Sequence, residues 1–125
     1  MSNHESTEMQ TEQSAVRFHG GDDDSGGVFA VETIFPAGLA LGSHTHPHGH
    51  LSVLAQGTAI VTVDGVSSEM TGPCVVSIPA NTVHMVAAKT PVVWYCLWAS
   101  DVAPLDEARA SLKIVEQGIK ELANV

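Results

Sequence analysis

From Val28 to Trp98 the chain is made of short apolar runs rich in Val, Ile, Thr and aromatic residues, cut at close intervals by Gly, Pro, Asn and Asp. Apolar runs this short, bounded by residues that favour turns, are the pattern of strands rather than helices. They predict an all-β barrel or sandwich with strands near residues 28–35, 39–46, 50–56, 58–63, 66–70, 74–78, 82–88 and 92–98. Asp64-Gly65, between IVTV and VSSEM, predicts a two-residue hairpin, because both central positions of such a turn take positive φ. After Pro104 the period changes: Ala108, Leu112, Val115, Ile119 and Leu122 recur at steps of four and three, with charged residues between them. That spacing predicts an amphipathic helix over residues 103–125, with Asp106 and Glu107 in the first turn favouring the positive end of its dipole. Its apolar stripe is expected to pack on the outside of the barrel, the alternative being a dimer-forming helix.

A length of 125 residues allows one domain with its own core and no need of disulfide staples. Residues 1–24 are polar and acidic with little to bury, and are expected to form a flexible tail ahead of a barrel over 25–102. Asp22, Asp23 and Asp24 sit among glycines as in a calcium loop, but the closing bidentate Glu is missing, so a solvated loop is the reading. Cys74 and Cys96 each lie in an apolar run and form no close pair, which predicts two buried thiols. Fourteen acidic against five basic side chains give a net charge of −9, which repels nucleic acid and anionic membrane surfaces. No apolar run approaches the roughly 18 residues of a membrane span, and the N-terminus lacks a basic start followed by an apolar stretch. A soluble, cytoplasmic protein is expected.

Seven histidines occur, four of them in the string HTHPHGH between positions 44 and 50. Residues two apart on a strand face the same side, so His44 and His46 can present two imidazoles to one ion. Pro47 to Gly49 then re-aims the chain before His50. His84, in the distant strand VHMVA after Pro79-Ala80-Asn81, is the partner such a cluster needs, although a lone histidine in an apolar strand is more often a core residue.

These residues resemble the cupins. The family's first motif runs Gly, five residues, His, any, His, three residues, Glu, six residues, Gly, and Gly38, His44, His46, His50 and Gly57 reproduce the spacing with His50 in place of Glu. The second motif is met by Gly72, Pro79 and His84, with Asn81 for its second Gly, Ala88 for its Asn and a first gap one residue longer. Asn81 tolerates the left-handed backbone that a glycine would supply. The resemblance covers residues 28–98 and implies a single jelly-roll barrel, commonly a dimer, with one divalent metal ion inside its mouth held by His44, His46, His50 and His84. His48 shares the ligands' parity, but the spacing to Gly57 selects His50.

Four neutral imidazoles leave the +2 charge of the ion uncancelled and favour an anionic ligand. They suit manganese, iron, nickel, copper or zinc, and on an octahedral ion they leave two positions open. Glu32, Glu69 and His48 are conceivable general bases, each with a plainer reading as a strand-surface or loop residue. Ser52, Leu54, Thr82 and Val86 share the ligands' parity. Trp94, Cys96 and Trp98 share one face of the last strand, pointing either into the pocket or toward a helix or partner. Compact four-histidine cupins resemble manganese- or iron-dependent oxygenases that cleave carbon–carbon bonds of enolisable, catechol-like or alkene substrates. A zinc-dependent cyclase or isomerase and a non-catalytic binding module are the other readings. The expected partners are a small molecule, anionic or aromatic, and a second copy of the chain.

Overall fold

A strand forms where alternate residues can be buried on one face, and the computed structural model has ten strands, most of them with that alternation. It describes residues 14–44, 47–99 and 119–121, with the backbone alone at 42–44 and 119–121. The strands are β1 (Ala15–Gly20), β2 (Val28–Phe35), β3 (Leu39–His44), β4 (His50–Gln56), β5 (Thr58–Val63), β6 (Val66–Thr71), β7 (Cys74–Ile78), β8 (His84–Ala88), β9 (Val92–Ala99) and β10 (Ile119–Glu121). They form two antiparallel five-stranded sheets, one ordered β1-β2-β9-β4-β7 and the other β10-β3-β8-β5-β6. Apart from the β1-β2 and β5-β6 pairs, successive strands cross between the sheets, which is the jelly-roll arrangement expected from the motifs. Asp64 (φ 52°) and Gly65 (φ 81°) make the hairpin joining β5 to β6, and Asn81 takes the left-handed backbone at φ 58°.

The core lies between the sheets and is built from the inward row of each strand: Phe29, Val31 and Phe35 of β2, Leu54 of β4, Val61 of β5, Val86 of β8, and Trp94, Cys96 and Trp98 of β9. The tryptophan face of β9 therefore points into the barrel and Tyr95 points out. Cys96 is buried, whereas Cys74 is half-buried against the edge of the core. Among the described residues no helix is long and apolar enough to cross a membrane.

Two expectations are corrected. Ala15–Gly20, placed in the flexible tail, is a strand in register with β2, because Val16 and Phe18 alternate with polar neighbours and pack on the core. The rest of the tail's acidic end is a single 3-10 turn, Asp23–Ser25, with Asp22 as its cap and Ser25 bonding back to Asp22. Residues 1–13 lie outside the described residues. At the other terminus Ile119–Glu121, expected to be helical, pairs with Leu39–Leu41 as an edge strand. The unpaired backbone of β3 offers hydrogen bonds that a helical periodicity does not foresee. The rest of the predicted helix lies outside the described residues.

A polar network ties β1 to the sheet on its outer side. The Glu32 carboxylate is hydrogen-bonded through one oxygen to His19 Nε2 at 2.9 Å and accepts from Tyr95 Oη at 2.8 Å through the other, with Arg17 at 4.0 Å. Burial alone pushes the Glu32 carboxyl up, but the bonds to His19 and Tyr95 and the charges of His19 and Arg17 together outweigh it and hold the group below its ordinary 4.5. The same bond, aided by burial, raises the Tyr95 hydroxyl above its ordinary 10.0.

Two outcomes follow. Gly57, at φ 93°, turns β4 into β5, and a Cβ there would overlap the carbonyl oxygen of Pro91. Gly57→Ala should lower unfolding stability by roughly 2 kcal/mol or more, from strain and overlap together. Gly38→Ala, also left-handed but with open space around it, should cost less, and equal losses by thermal denaturation would remove the close approach as the cause. Because Glu32 is lowered in the folded state, its stabilisation is complete above 4.5 and is lost as pH falls through the folded value; Tyr95, being raised, contributes below 10.0 and loses its share as pH climbs beyond. Tyr95→Phe should therefore cost about 1 kcal/mol at neutral pH, and the gap to the parent in urea denaturation should narrow in acid.

Candidate metal centre

The histidines reach one end of the barrel because of where their strands begin and end. His50 opens β4, His84 opens β8, and His44 closes β3 as the register partner of His84. Inward parity continues from His50 through Ser52 and Leu54, and from His84 through Val86 and Ala88. His50 and His84 come from opposite sheets, yet their rings meet inside the barrel with centroids 5.4 Å apart. They are 8% and 1% exposed, a degree of burial unusual for two neighbouring titratable rings. His84 Nδ1 lies 3.5 Å from the carbonyl oxygen of Thr82, a long hydrogen bond that only the ring can donate. His46 lies outside the described residues. Among the described residues no group of three His, Cys, Asp or Glu side chains is assembled as a metal cluster.

Aromatic rings wall the histidine pair. Trp98 has His48 at 5.3 Å and His50 at 6.2 Å between centroids. Phe29 packs 5.3 Å from Trp98, and Phe18 of β1 meets Phe29 edge-on at 4.9 Å. Such spacings are those of favourable tilted and T-shaped contacts. Phe18 and Phe29 were not singled out from the sequence; the alternation in VFAVETIF places Phe29 inward, but nothing local places it beside Trp98. Below the wall the fully buried Ser52 donates to Cys96 Sγ at 3.7 Å. Burial pushes the Cys96 thiol up, more than the hydrogen bond from Ser52 pulls it down, so it is a neutral thiol.

Of the three conceivable bases, only His48 stands at this end of the barrel, half-buried against Trp98. Glu32 is on the outer face in the network with His19 and Tyr95. Glu69 is exposed and paired with Lys89 at 2.8 Å. Ser52, Leu54 and Val86 point inward as expected but are packed shut beneath the histidines, while Thr82 is half-exposed and bonded to the carbonyl of Ala80. Trp98, whose direction the sequence left open, is the side chain that joins the histidines to the aromatic wall.

Comparison with curated protein sequences found no match. Solved structures do resemble it. A cupin superfamily protein from Desulfitobacterium hafniense aligns with a TM-score of 0.61 at 19% identity, over 70% of this chain and 78% of that one. KdgF from a Halomonas species aligns with a TM-score of 0.57 at 22% identity, over 70% and 78%. A predicted oxalate decarboxylase from Thermotoga maritima aligns with a TM-score of 0.60 at 11% identity, over 70% and 82%. The sequence model of the Cupin domain matches residues 30–98, the stretch that holds every strand from β3 to β8 and most of β2 and β9, and the chain belongs to the cupin family.

Proposed function

We propose that this cupin holds one divalent metal ion, manganese or iron, through His44, His46, His50 and His84, and acts as an oxygenase on a small planar substrate. The observation that carries the reading is the pair of buried imidazoles, His50 and His84, drawn from opposite sheets to 5.4 Å with His44 in register beside His84. The donor set fits a borderline transition metal, for which imidazole is a preferred ligand and no anionic side chain is required. When bound, such an ion supplies Lewis acidity and, if iron or manganese, exchange of electrons with dioxygen.

The protein's own residues do the rest. Trp98, backed by Phe29, gives one side of the site an aromatic, apolar wall, which favours a planar, enolisable or catechol-like molecule. The site lacks a carboxylate among the described residues, because Glu32 and Glu69 face outward, so no local negative charge opposes an anionic substrate. Thr82 holds the His84 ring through its carbonyl, and Ser52 and Cys96 form the floor.

The metal set is tested by elemental analysis. His84→Ala should lose most of the roughly one equivalent of metal that the parent carries; full occupancy in a variant with an unchanged far-ultraviolet spectrum would remove His84 from the set. His50→Glu should keep the metal while lowering the charge of the site, so that azide binds more weakly and the reduction potential falls. Matching azide affinity and potential in parent and variant would show that His50 is not a ligand. The reaction class is read by oxygen uptake with a catechol or enolisable dicarbonyl. Iron- or manganese-loaded protein should consume oxygen and zinc-loaded protein should not, whereas turnover by the zinc form without oxygen uptake would replace the oxygenase with a cyclase or isomerase.

A further inference from the structure

The histidine end of the barrel is bounded by one inward-facing row from each sheet. In the β10-β3-β8-β5-β6 sheet, Val63 of β5 is the register partner of both His84 and Val66, and residues paired in this way share a face. In the other sheet His50 pairs with Ile78, and the Trp98 ring stands 6.2 Å from His50. β6 and β7 follow one another and are the edge strands of their sheets, so both rows run from the histidines toward the same side of the barrel. Exposure rises along the first row and not along the second. His84 is 1% exposed, Val63 is half-buried and Val66 is 68% exposed, whereas Ile78 is 3% exposed. Val66 is the most exposed large apolar side chain among the described residues. The pair beside it on the outer face is polar, Thr62 and Ser67 sharing a hydrogen bond at 2.8 Å. The hairpin thus keeps its apolar pair on the inner face, where Val66 meets solvent.

We infer that Val63 and Val66 form a subsite for an uncharged apolar substituent of the molecule that binds at the histidines. The subsite rests on the proposal that those histidines receive a small planar substrate. Two strand spacings place Val66 about 10 Å from His84 across the sheet. A ring held between the imidazoles and Trp98 does not reach that far, and a ring carrying a side chain does. Charge selects what the side chain can be. The tip of the hairpin carries the exposed Asp64, whose N–H is bonded to the carbonyl of Val83. The arginine and lysine side chains among the described residues are held elsewhere: Arg17 lies by Glu32 on the outer face of the other sheet, and Lys89 pairs with Glu69 beyond the far end of β8. An anionic tail would meet the Asp64 carboxylate with no such cation to offset it, while an alkyl or aryl tail takes Val63 and Val66 out of water.

Titration of the zinc-loaded full chain with catechol, hexylcatechol and hexanol, followed by the valine methyl resonances, is the test. Hexylcatechol should bind at least about tenfold more tightly than catechol, as burial of part of the chain would give. It should shift the Val63 and Val66 methyls, which catechol should leave in place. Val66→Asp, with an unchanged near-ultraviolet spectrum, should take back most of that gain and leave catechol binding unaltered. Val75→Asp, at an exposed site on the other sheet, should alter neither. A hexyl chain that adds no affinity, or a gain that Val66→Asp leaves whole, overturns the subsite while the planar substrate stands. If catechol does not bind and hexanol still shifts Val63 in the parent but not in Val66→Asp, the subsite stands and the planar substrate falls. Methyl shifts that follow protein concentration without any ligand would give the row to a second copy of the chain and overturn the subsite.

Discussion

The structure depends on the position of β9 in the middle of its sheet, where it is hydrogen-bonded by β2 along one edge and β4 along the other. Its two rows of side chains are constrained separately. The inward row, Trp94, Cys96 and Trp98, fills the barrel from its floor to the histidines, and Trp94 and Trp98 are the bulkiest side chains in the core. The outward row, Val93, Tyr95 and Leu97, has no described element to bury it. A slip of one residue would exchange the rows, exposing two tryptophans and placing the Tyr95 hydroxyl in the core without Glu32, so the register is strongly specified.

That register also sets the geometry of the histidines. β4 is positioned by β9, and His50 lies just beyond the last residue of β4 that β9 pairs, next to Trp98. His84 reaches the same place from the other sheet because β8 is held between β3 and β5. Neither ring is brought there by its neighbours in sequence. Each is brought by the sheet that carries it, and the distance between sheets decides that their centroids stand 5.4 Å apart. The glycine that closes the first motif, Gly57, serves the same geometry. It lets the β4–β5 turn pass against Pro91, the residue before β9.

The polar groups divide by where they can be satisfied. Glu32 is nearly buried on the outside of the sheet, and three residues from two neighbouring strands neutralise or hydrogen-bond it. Inside the barrel the described polar groups include no carboxylate, lysine or arginine: they are imidazoles, the hydroxyls of Thr33 and Ser52, a thiol and the indole nitrogens. Keeping carboxylates out of the interior avoids their large desolvation cost. Substituting His50 for the glutamate of the family motif follows the same rule.

Much of this was legible in the sequence. The strands from β2 to β9 fall within two residues of the runs read from the sequence: β8 starts at His84 rather than 82, and β3 is described over Leu39–His44, residues 45 and 46 lying outside the described residues. The Asp64-Gly65 hairpin and the left-handed Asn81 follow from backbone preferences that act within a few residues. What the sequence alone could not decide was anything that needs a partner from a distant strand. A period of two says which residues share a face and not which face is inside, so the direction of Trp98 waited on the packing of β9 between β2 and β4. β1 was hidden because its two apolar residues are too few to signal a strand without the core they meet, and β10 because its three residues form a strand only beside the open edge of β3. The Glu32 network joins β1, β2 and β9, its bond to Tyr95 spanning 63 residues of chain, and no local pattern encodes a contact of that separation.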